Sequence, residues 1–233
     1  MKFSVFIFCL IAITTQAQDN KWSVGIAGLY TTETNIYYNP NAADAVVRNN
    51  STTLNDIFSP SLQVTYQIAH DLDLLFEAEW QKTTYTTLVN ALMDNEVNRL
   101  QIVDGYEIFP VEINLIYRLP FKPGNFSFFI GGGAGYYFGK HIRRSGQDLI
   151  KTDNRSLNYG IQTVIGTEYR VSSYLSTTLG MKFRDPQIKM HDTFTQESFQ
   201  INGKTVSFGQ QHSFYTKVNL DGIVFFLGIK SYF

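Results

Sequence analysis

The sequence predicts an all-β fold: eight antiparallel strands closed into a transmembrane up-and-down barrel, with short periplasmic turns and long external loops. Three observations predict it. Apolar and polar residues alternate with period two in eight segments, the pattern of strands with one apolar and one polar face. The connections between those segments are short and long in strict alternation, as tight periplasmic turns and large outer loops are. Aromatic residues make up 15% of the chain and charged residues only 17%, a composition suited to strands and unsuited to disorder.

Residues 1–17 read as a cleaved signal peptide and 18–233 as one barrel domain. Lys2 is a short basic start, Phe3 to Ile13 an apolar core, and Thr15-Gln16-Ala17 puts small residues at the −3 and −1 positions of a cleavage site. Cleavage takes Lys+Arg from 19 to 18 against 20 Asp+Glu, about −2 net, which makes no electrostatic case for nucleic acid. The sole cysteine, Cys9, lies inside the apolar core, the wrong place for a lipoprotein cysteine, and an exported chain without disulfides suits a bacterial envelope. Beyond the signal the longest apolar run is Ile223 to Ile229, far short of the roughly 18–20 residues of a membrane helix.

The first segment sets Trp22, Val24, Ile26 and Tyr30 against Ser23, Gly25 and Ala27. The second sets Leu62, Val64, Tyr66 and Ile68 against Gln63 and Thr65; the third sets Leu74, Phe76, Ala78 and Trp80 against Asp73, Glu77 and Glu79. Phe109 to Tyr117 alternate with Glu112, Asn114 and Arg118 in the fourth, and Phe128 to Phe138 with Gly131, Gly133, Gly135 and Gly139 in the fifth. The sixth sets Tyr159, Ile161, Ile165 and Tyr169 against Gln162, Glu168 and Arg170; the seventh sets Leu179, Met181 and Phe183 against Thr178, Lys182 and Arg184. The eighth runs from Ile223 to Phe233 with Lys230 on its polar face. Each is roughly ten residues, enough for a tilted strand to cross a bilayer.

The short connections are about 69–71, 119–124 and 171–173, and the long ones about 31–60, 83–105, 141–155 and 185–211. Residues 87–100, with Leu88, Leu92 and Val97, are expected to form a short external helix. Asn202-Gly203 is a hairpin signal that would let the last two strands extend past the membrane, with Asp185-Pro186 interrupting the ladder.

Two sets of aromatics place the apolar face against lipid. Trp22, Tyr117, Phe126, Tyr169 and Phe233 fall at one end of the strands, and Tyr30, Trp80, Phe138 and Phe183 at the other, as interfacial girdles do. A soluble lipocalin-like barrel alternates equally well but has no reason for asymmetric loops. The polar face carries Glu77, Glu79, Glu112 and Glu168 against Arg118, Arg170, Lys182, Arg184 and Lys230. An eight-stranded lumen is just wide enough to be filled by side chains, so these charges are expected to pair into a plug; the alternative is a narrow gated pore.

These strands, the signal sequence, the Gly131-Gly132-Gly133-Ala134-Gly135-Tyr136-Tyr137 segment and the terminal Phe233 resemble the small eight-stranded outer-membrane barrels of the OmpA and OmpX type. The resemblance is architectural and spans the whole mature chain. It implies an outer-membrane location in a Gram-negative bacterium, contact with lipid and lipopolysaccharide, and insertion by the barrel-assembly machinery, with Ser231 a departure from the usual apolar residue near the terminus.

The expected role is structural or surface interaction, such as adhesion or envelope integrity, without catalysis and with an external partner left unnamed. A channel for small solutes or hydrophobic compounds is the second reading, and a lipid A-modifying or rim-protease enzyme the third. An enzyme needs a histidine beside a serine or carboxylate, and His141, His191-Asp192 and His212-Ser213 are the candidates; His70-Asp71 reads as a turn pair. No cofactor or metal-ligand spacing is present. The sequons at Asn50-Ser51-Thr52 and Asn154-Arg155-Ser156 read as chance, and Leu88, Val89, Leu92 and Met93 as either a contact surface or a small loop core.

Overall fold

The computed structural model describes residues 21–93, 96–153, 156–201, 203–207 and 212–233. The segment expected to be a signal peptide, with Cys9, and Asn154-Arg155 of the second sequon and Asn202 lie outside them.

In chain order the elements are β1 (Trp22–Tyr38), the single-turn helix α1 (Ala45–Arg48), β2 (Ser51–Ala69), β3 (Leu72–Glu79), β4 (Gln81–Met93), β5 (Glu96–Arg118) and β6 (Phe126–Ser145). There follow β7 (Gln147–Asp148), β8 (Ile150–Asp153), β9 (Tyr159–Arg170), β10 (Leu175–Arg184), β11 (Gln187–Phe194), β12 (Phe199–Ile201), β13 (Lys204–Ser207), β14 (Ser213–Asn219) and β15 (Ile223–Tyr232). Eight antiparallel ladders make a ring through β1, β2, β3, β5, β6, β9, β10 and β15, and the β15–β1 and β5–β6 ladders close it. Closure is what lets a sheet span lipid, because an open edge would bury unpaired backbone groups.

The outer wall is apolar. Ile26, Leu62, Phe76, Ile113, Ile165, Leu227 and Ile229 all point away from the lumen and are exposed, while every second residue between them is buried in the interior. Aromatic pairs mark both rims of this band: Trp22 with Tyr66 and Phe126 with Tyr169 at the periplasmic end, Tyr30 with Phe58 and Phe109 with Phe138 at the outer end. This is a membrane-spanning β-barrel.

The strands continue well past the outer rim. β5 has 23 residues, roughly 75 Å at about 3.3 Å per residue, and only about ten of them are needed to cross the band. Half of the ring changes course just above the rim. β3 hands over to β4 at Trp80, β10 to β11 across Asp185-Pro186, and β14 to β15 across residues 220–222, while β2 carries a left-handed Asp56 (φ 57°). At Gly222 a Cβ would lie 2.4 Å from the Glu33 carbonyl oxygen, so this close approach of β15 to β1 requires glycine.

Above these breaks the chain forms a head rather than loops. The connections expected at 31–60, 83–105 and 141–155 are largely strand, and the helix expected over 87–100 is the β4–β5 hairpin, in register from Gln81↔Ile108 to Met93↔Glu96. Leu88 and Leu92 share a face in a strand as well as in a helix, and alternation decides for the strand: Val89, Ala91 and Met93 turn inward. The extension of the last two barrel strands occurs as β11 paired with β14. The hairpin around Gly203 (φ 77°) is a separate tip, β12–β13, that adds to the edge of β4.

Three apolar clusters fill the interior. Leu29, Leu75, Ile116, Phe129 and Phe226 form one cluster within the membrane band. Ile36, Leu54, Tyr106, Ile108, Ile188 and Leu220 fill the neck at the outer rim. Leu100, Ile102, Leu149, Phe199 and Val206 form the core of the head.

Candidate functional site

Two polar arrangements are sandwiched between these clusters. The first fills the barrel. Lys182 on β10 reaches across the lumen to Glu77 on β3 (2.7 Å) and Glu112 on β5 (2.5 Å). One level higher, Arg184 Nη1 donates to Glu79 at 2.6 Å and to Glu112 at 3.3 Å. The remaining acceptor capacity is taken by neutral donors: Ser59 to Glu79, Gln63 to Glu77, and the Tyr137 hydroxyl to Glu112. Gly135 faces Glu112 with room for no more, since a Cβ there would sit 2.8 Å from the Glu112 Cγ.

At the periplasmic end Arg118 pairs with Asp73 (2.7 Å) and Glu168 (3.6 Å), and Tyr232 donates to Glu168. Lys230 is buried and lines the same space, which encloses a cavity of about 20 Å³, room for about one water. Arg170 stands apart from the carboxylates: it stacks on the Tyr232 ring at 4.1 Å and donates to the Ser173 carbonyl at 3.2 Å. Of the charges singled out in the sequence, the interior thus brings together Glu77, Glu79, Glu112, Lys182 and Arg184 in one cluster and Glu168 with Arg118 in another. Asp73, a partner of Arg118, was legible only as a polar-face residue.

The second arrangement sits between the neck and the head. His141 on β6 is clamped by two carboxylates, Nε2 to Asp104 of β5 at 2.7 Å and Nδ1 to Asp192 of β11 at 2.8 Å. Thr152 of β8 and Thr216 of β14 donate to Asp192 at 2.5 and 2.7 Å, and Arg143 binds Asp104 through Nε and Nη2 at 2.9 and 2.7 Å. The imidazole side chain is 1% exposed. Burial by itself would depress its pKa, but the hydrogen bonds and charges of Asp104 and Asp192 outweigh burial and hold it above 6.5. The same contacts overcome burial at both carboxylates and hold them below 3.8. Two acids and two cations therefore form a charge-balanced cross-link of five strands.

Beside this cluster a cleft of about 480 Å³ opens through the wall. β2 and β3 stay paired up to Ser61↔Glu79, and Trp80 N–H reaches the Pro60 carbonyl at 3.1 Å. Beyond that link β4 forms no ladder with β2. A hydrogen bond between the hydroxyls of Tyr38 on β1 and Tyr85 on β4 spans the opening, and burial pushes the pKa of Tyr38 up. Asn39, Asn50, Asn90, Thr52, Thr87 and Leu88 line the opening, and Arg143 closes its inner end, stacked between Tyr38 (5.4 Å) and Phe214 (5.3 Å).

The other histidine candidates do not converge. His191 packs on Tyr215 at 4.9 Å, on the face opposite Asp192, while His212 and Ser213 are exposed. His70 contacts Asp71 at 2.9 Å in the periplasmic turn between β2 and β3. Sequence reasoning named His141 and Asp192 separately but missed Asp104, Arg143, Tyr38 and Tyr85, whose meeting depends on strand register rather than spacing.

No protein-family model matches this chain, and no characterised relative matches its sequence. Among solved structures, the outer membrane protein OprG from Pseudomonas aeruginosa is similar with a TM-score of 0.56 at 14% identity, over 91% of this chain and 95% of that one. Neisserial surface protein A gives 0.47 at 11% identity over 91% and 97%, and the Escherichia coli outer membrane protein W 0.39 at 14% over 90% and 98%. The fold is that of the small outer-membrane β-barrel proteins.

Proposed function

We propose that this outer-membrane barrel does not conduct along its axis and acts through its external head, as a surface-interaction or envelope-structure protein. The observation that carries this is the pair of cross-lumen bridges from Lys182 and Arg184 to Glu77, Glu79 and Glu112, capped above by the apolar neck of Tyr106, Ile108 and Ile188. Ions would have to break both layers. The cleft between β2 and β4, with amide, hydroxyl and aromatic side chains around a buried Arg143–Asp104 pair, is the place where the head takes an external ligand. In this reading residues 1–17 are removed on export, the barrel-assembly machinery inserts the chain, and the apolar wall contacts lipid and lipopolysaccharide.

Catalysis is disfavoured by the state of its best candidate. Both ring nitrogens of His141 are already engaged by carboxylates, which leaves neither to accept a proton from a nucleophile. One observation favours the second reading, a path for hydrophobic compounds: the gap in pairing between β2 and β4 begins at the level of Phe58 and Trp80, on the outer rim of the membrane band.

The test is conductance of the refolded protein in a planar lipid bilayer. A silent bilayer, with gel mobility showing the barrel folded, supports the plug. Stable steps well above the protein-free control overturn it and make the lumen charges a filter. If the bilayer is silent but vesicles take up an apolar dye in a manner abolished by a disulfide across the Thr52–Tyr85 gap, the side path is the function.

A further inference from the structure

A second groove lies outside the wall, away from the cleft, and nothing in the function proposed above uses it. β6 is paired with β9 up to Tyr136↔Tyr159. Above that, β6 and β8 part, since β8 pairs only with β11, and the gap is bridged by the His141 N–H donating to Thr152 Oγ1 at 3.0 Å. The resulting groove of about 310 Å³ is bordered by Lys82, Lys140, Arg144 and Lys151, with Glu107 and Asp148.

Positive charge is in excess there. Lys82, Glu107 and Lys140 form one rung across β4, β5 and β6, so that two ammonium groups share a single carboxylate, at 4.0 and 3.2 Å. Arg144 is in register with Asp148, and Lys151 makes no ion pair among the described residues. Four cations thus face two carboxylates. All four basic side chains are exposed.

The groove stands at the membrane surface. The Trp80 indole N–H donates to Glu107 at 3.0 Å, and the outward residues just below Lys140 and Glu107 are Phe138 and Phe109, stacked at 5.7 Å. Interfacial aromatics lie at headgroup level, so the cations above them stand where the phosphates of the outer leaflet are. An apolar path for the acyl chains continues from those rings down the wall through Tyr136, Val111 and Ala134.

We propose that the groove between β6 and β8 binds the phosphate of an anionic lipid headgroup in the outer leaflet, with Lys140 and Lys151 as its principal donors, Lys82 and Arg144 beside them, and Glu107 as an internal competitor for the two lysines of its rung. Charge-assisted N–H···O bonds to phosphate oxygens are the strong class of polar contact, and each basic group near an anionic surface adds about a factor of five. The site rests on the contact with outer-membrane lipid proposed above and is independent of what the cleft binds.

The experiment is retention of lipid by the folded protein in phosphatidylcholine nanodiscs doped with bis-phosphorylated lipid A, read by native mass spectrometry. Dephosphorylated lipid A serves as the control. The Lys140→Gln/Lys151→Gln variant is expected to bind the phosphorylated lipid roughly thirtyfold more weakly, and Glu107→Gln more tightly than the parent. Lys140 and Lys151 are exposed, and Glu107→Gln keeps the size of a half-buried side chain that faces the outer wall, so gel mobility is expected to report a folded barrel in each variant. Equal retention of the dephosphorylated lipid, or parental affinity in the double variant, overturns the proposal. Displacement of the bound lipid by millimolar inorganic phosphate would also overturn it, by assigning the groove to a free anion.

Discussion

Lys182 and Glu112 stand on opposite walls of the barrel and meet at 2.5 Å across its lumen, with Lys182 only 2% exposed. A buried pair of this kind contributes little against a well-packed apolar substitute, because desolvation of both ions offsets their attraction. Its loss on one side is another matter. In Lys182→Met, Glu77 and Glu112 both lose the ammonium that neutralises them, and Arg184 retains only its own contacts. We expect the variant to lose about 3–5 kcal/mol of unfolding free energy, measured by urea titration in lipid vesicles. Lys182→Met/Glu112→Gln should recover part of that loss; a single variant as stable as the parent would mean that the bridge holds nothing together.

The clamp on His141 makes the head pH-sensitive in a defined direction. Its pKa is raised above 6.5 in the folded chain, so its stabilising contribution is full below that value and is lost as pH rises through the folded pKa. Asp104 and Asp192 are held below 3.8, so theirs is full above that value and is lost as pH falls through their folded pKa values. The head is therefore tightest between roughly pH 4 and 6.5 and loosens under alkali. Hydrogen exchange at the backbone amides of β8 and β11 should accelerate from pH 6 to pH 9 beyond the intrinsic base-catalysed rate. In His141→Asn that excess should vanish; an unchanged excess would place the transition elsewhere.

The barrel was legible and the head was not, for one physical reason. Within the membrane band lipid demands apolar residues on the outside and the narrow lumen tolerates polar ones inside, so Leu74, Phe76 and Ala78 alternate with Asp73, Glu77 and Glu79 without ambiguity. Above the rim both environments change. Thr84 and Thr86 face out and Tyr85, Thr87 and Val89 face in along β4, a pattern with too little contrast to signal a strand, and Leu88 with Leu92 then imitates helical spacing. The lumen acids and bases could be named from parity alone. Their pairing depends on the tilt and stagger of the ring, which is why parity alone groups Arg170 with carboxylates it does not reach, and why Asp104, His141 and Asp192 come together only in three dimensions.

The head and the barrel have separate cores, and they should unfold separately. Phe199 is buried in the head cluster with Leu149, Ile201 and Val206 and has no part in the ring of eight strands. Phe199→Ala leaves a cavity that costs about 3–5 kcal/mol, and the cost falls on the β12–β13 tip and the β4 edge it adds to. Trypsin should then cut near Lys204 or Arg99 far faster than in the parent, while the heat-modifiable gel shift of the barrel stays intact. Joint loss of both signals would show that the molecule is one cooperative unit.

The outer wall distinguishes lipid from water as its solvent. Leu227 is 64% exposed, midway along β15, and its register partners Gly28 and Leu179 also face outward. In water an arginine at this position would be harmless, since a surface substitution away from special features changes stability by about 0.5 kcal/mol or less. At the midplane of a bilayer it costs about 2–4 kcal/mol. Leu227→Arg should therefore lower the unfolding free energy in vesicles by that amount. The companion change Val46→Arg, on the exposed turn of α1 in the head, should leave it unaltered. Equal and small effects at both positions would mean that no lipid covers β15, and with that the membrane-spanning assignment itself would fall.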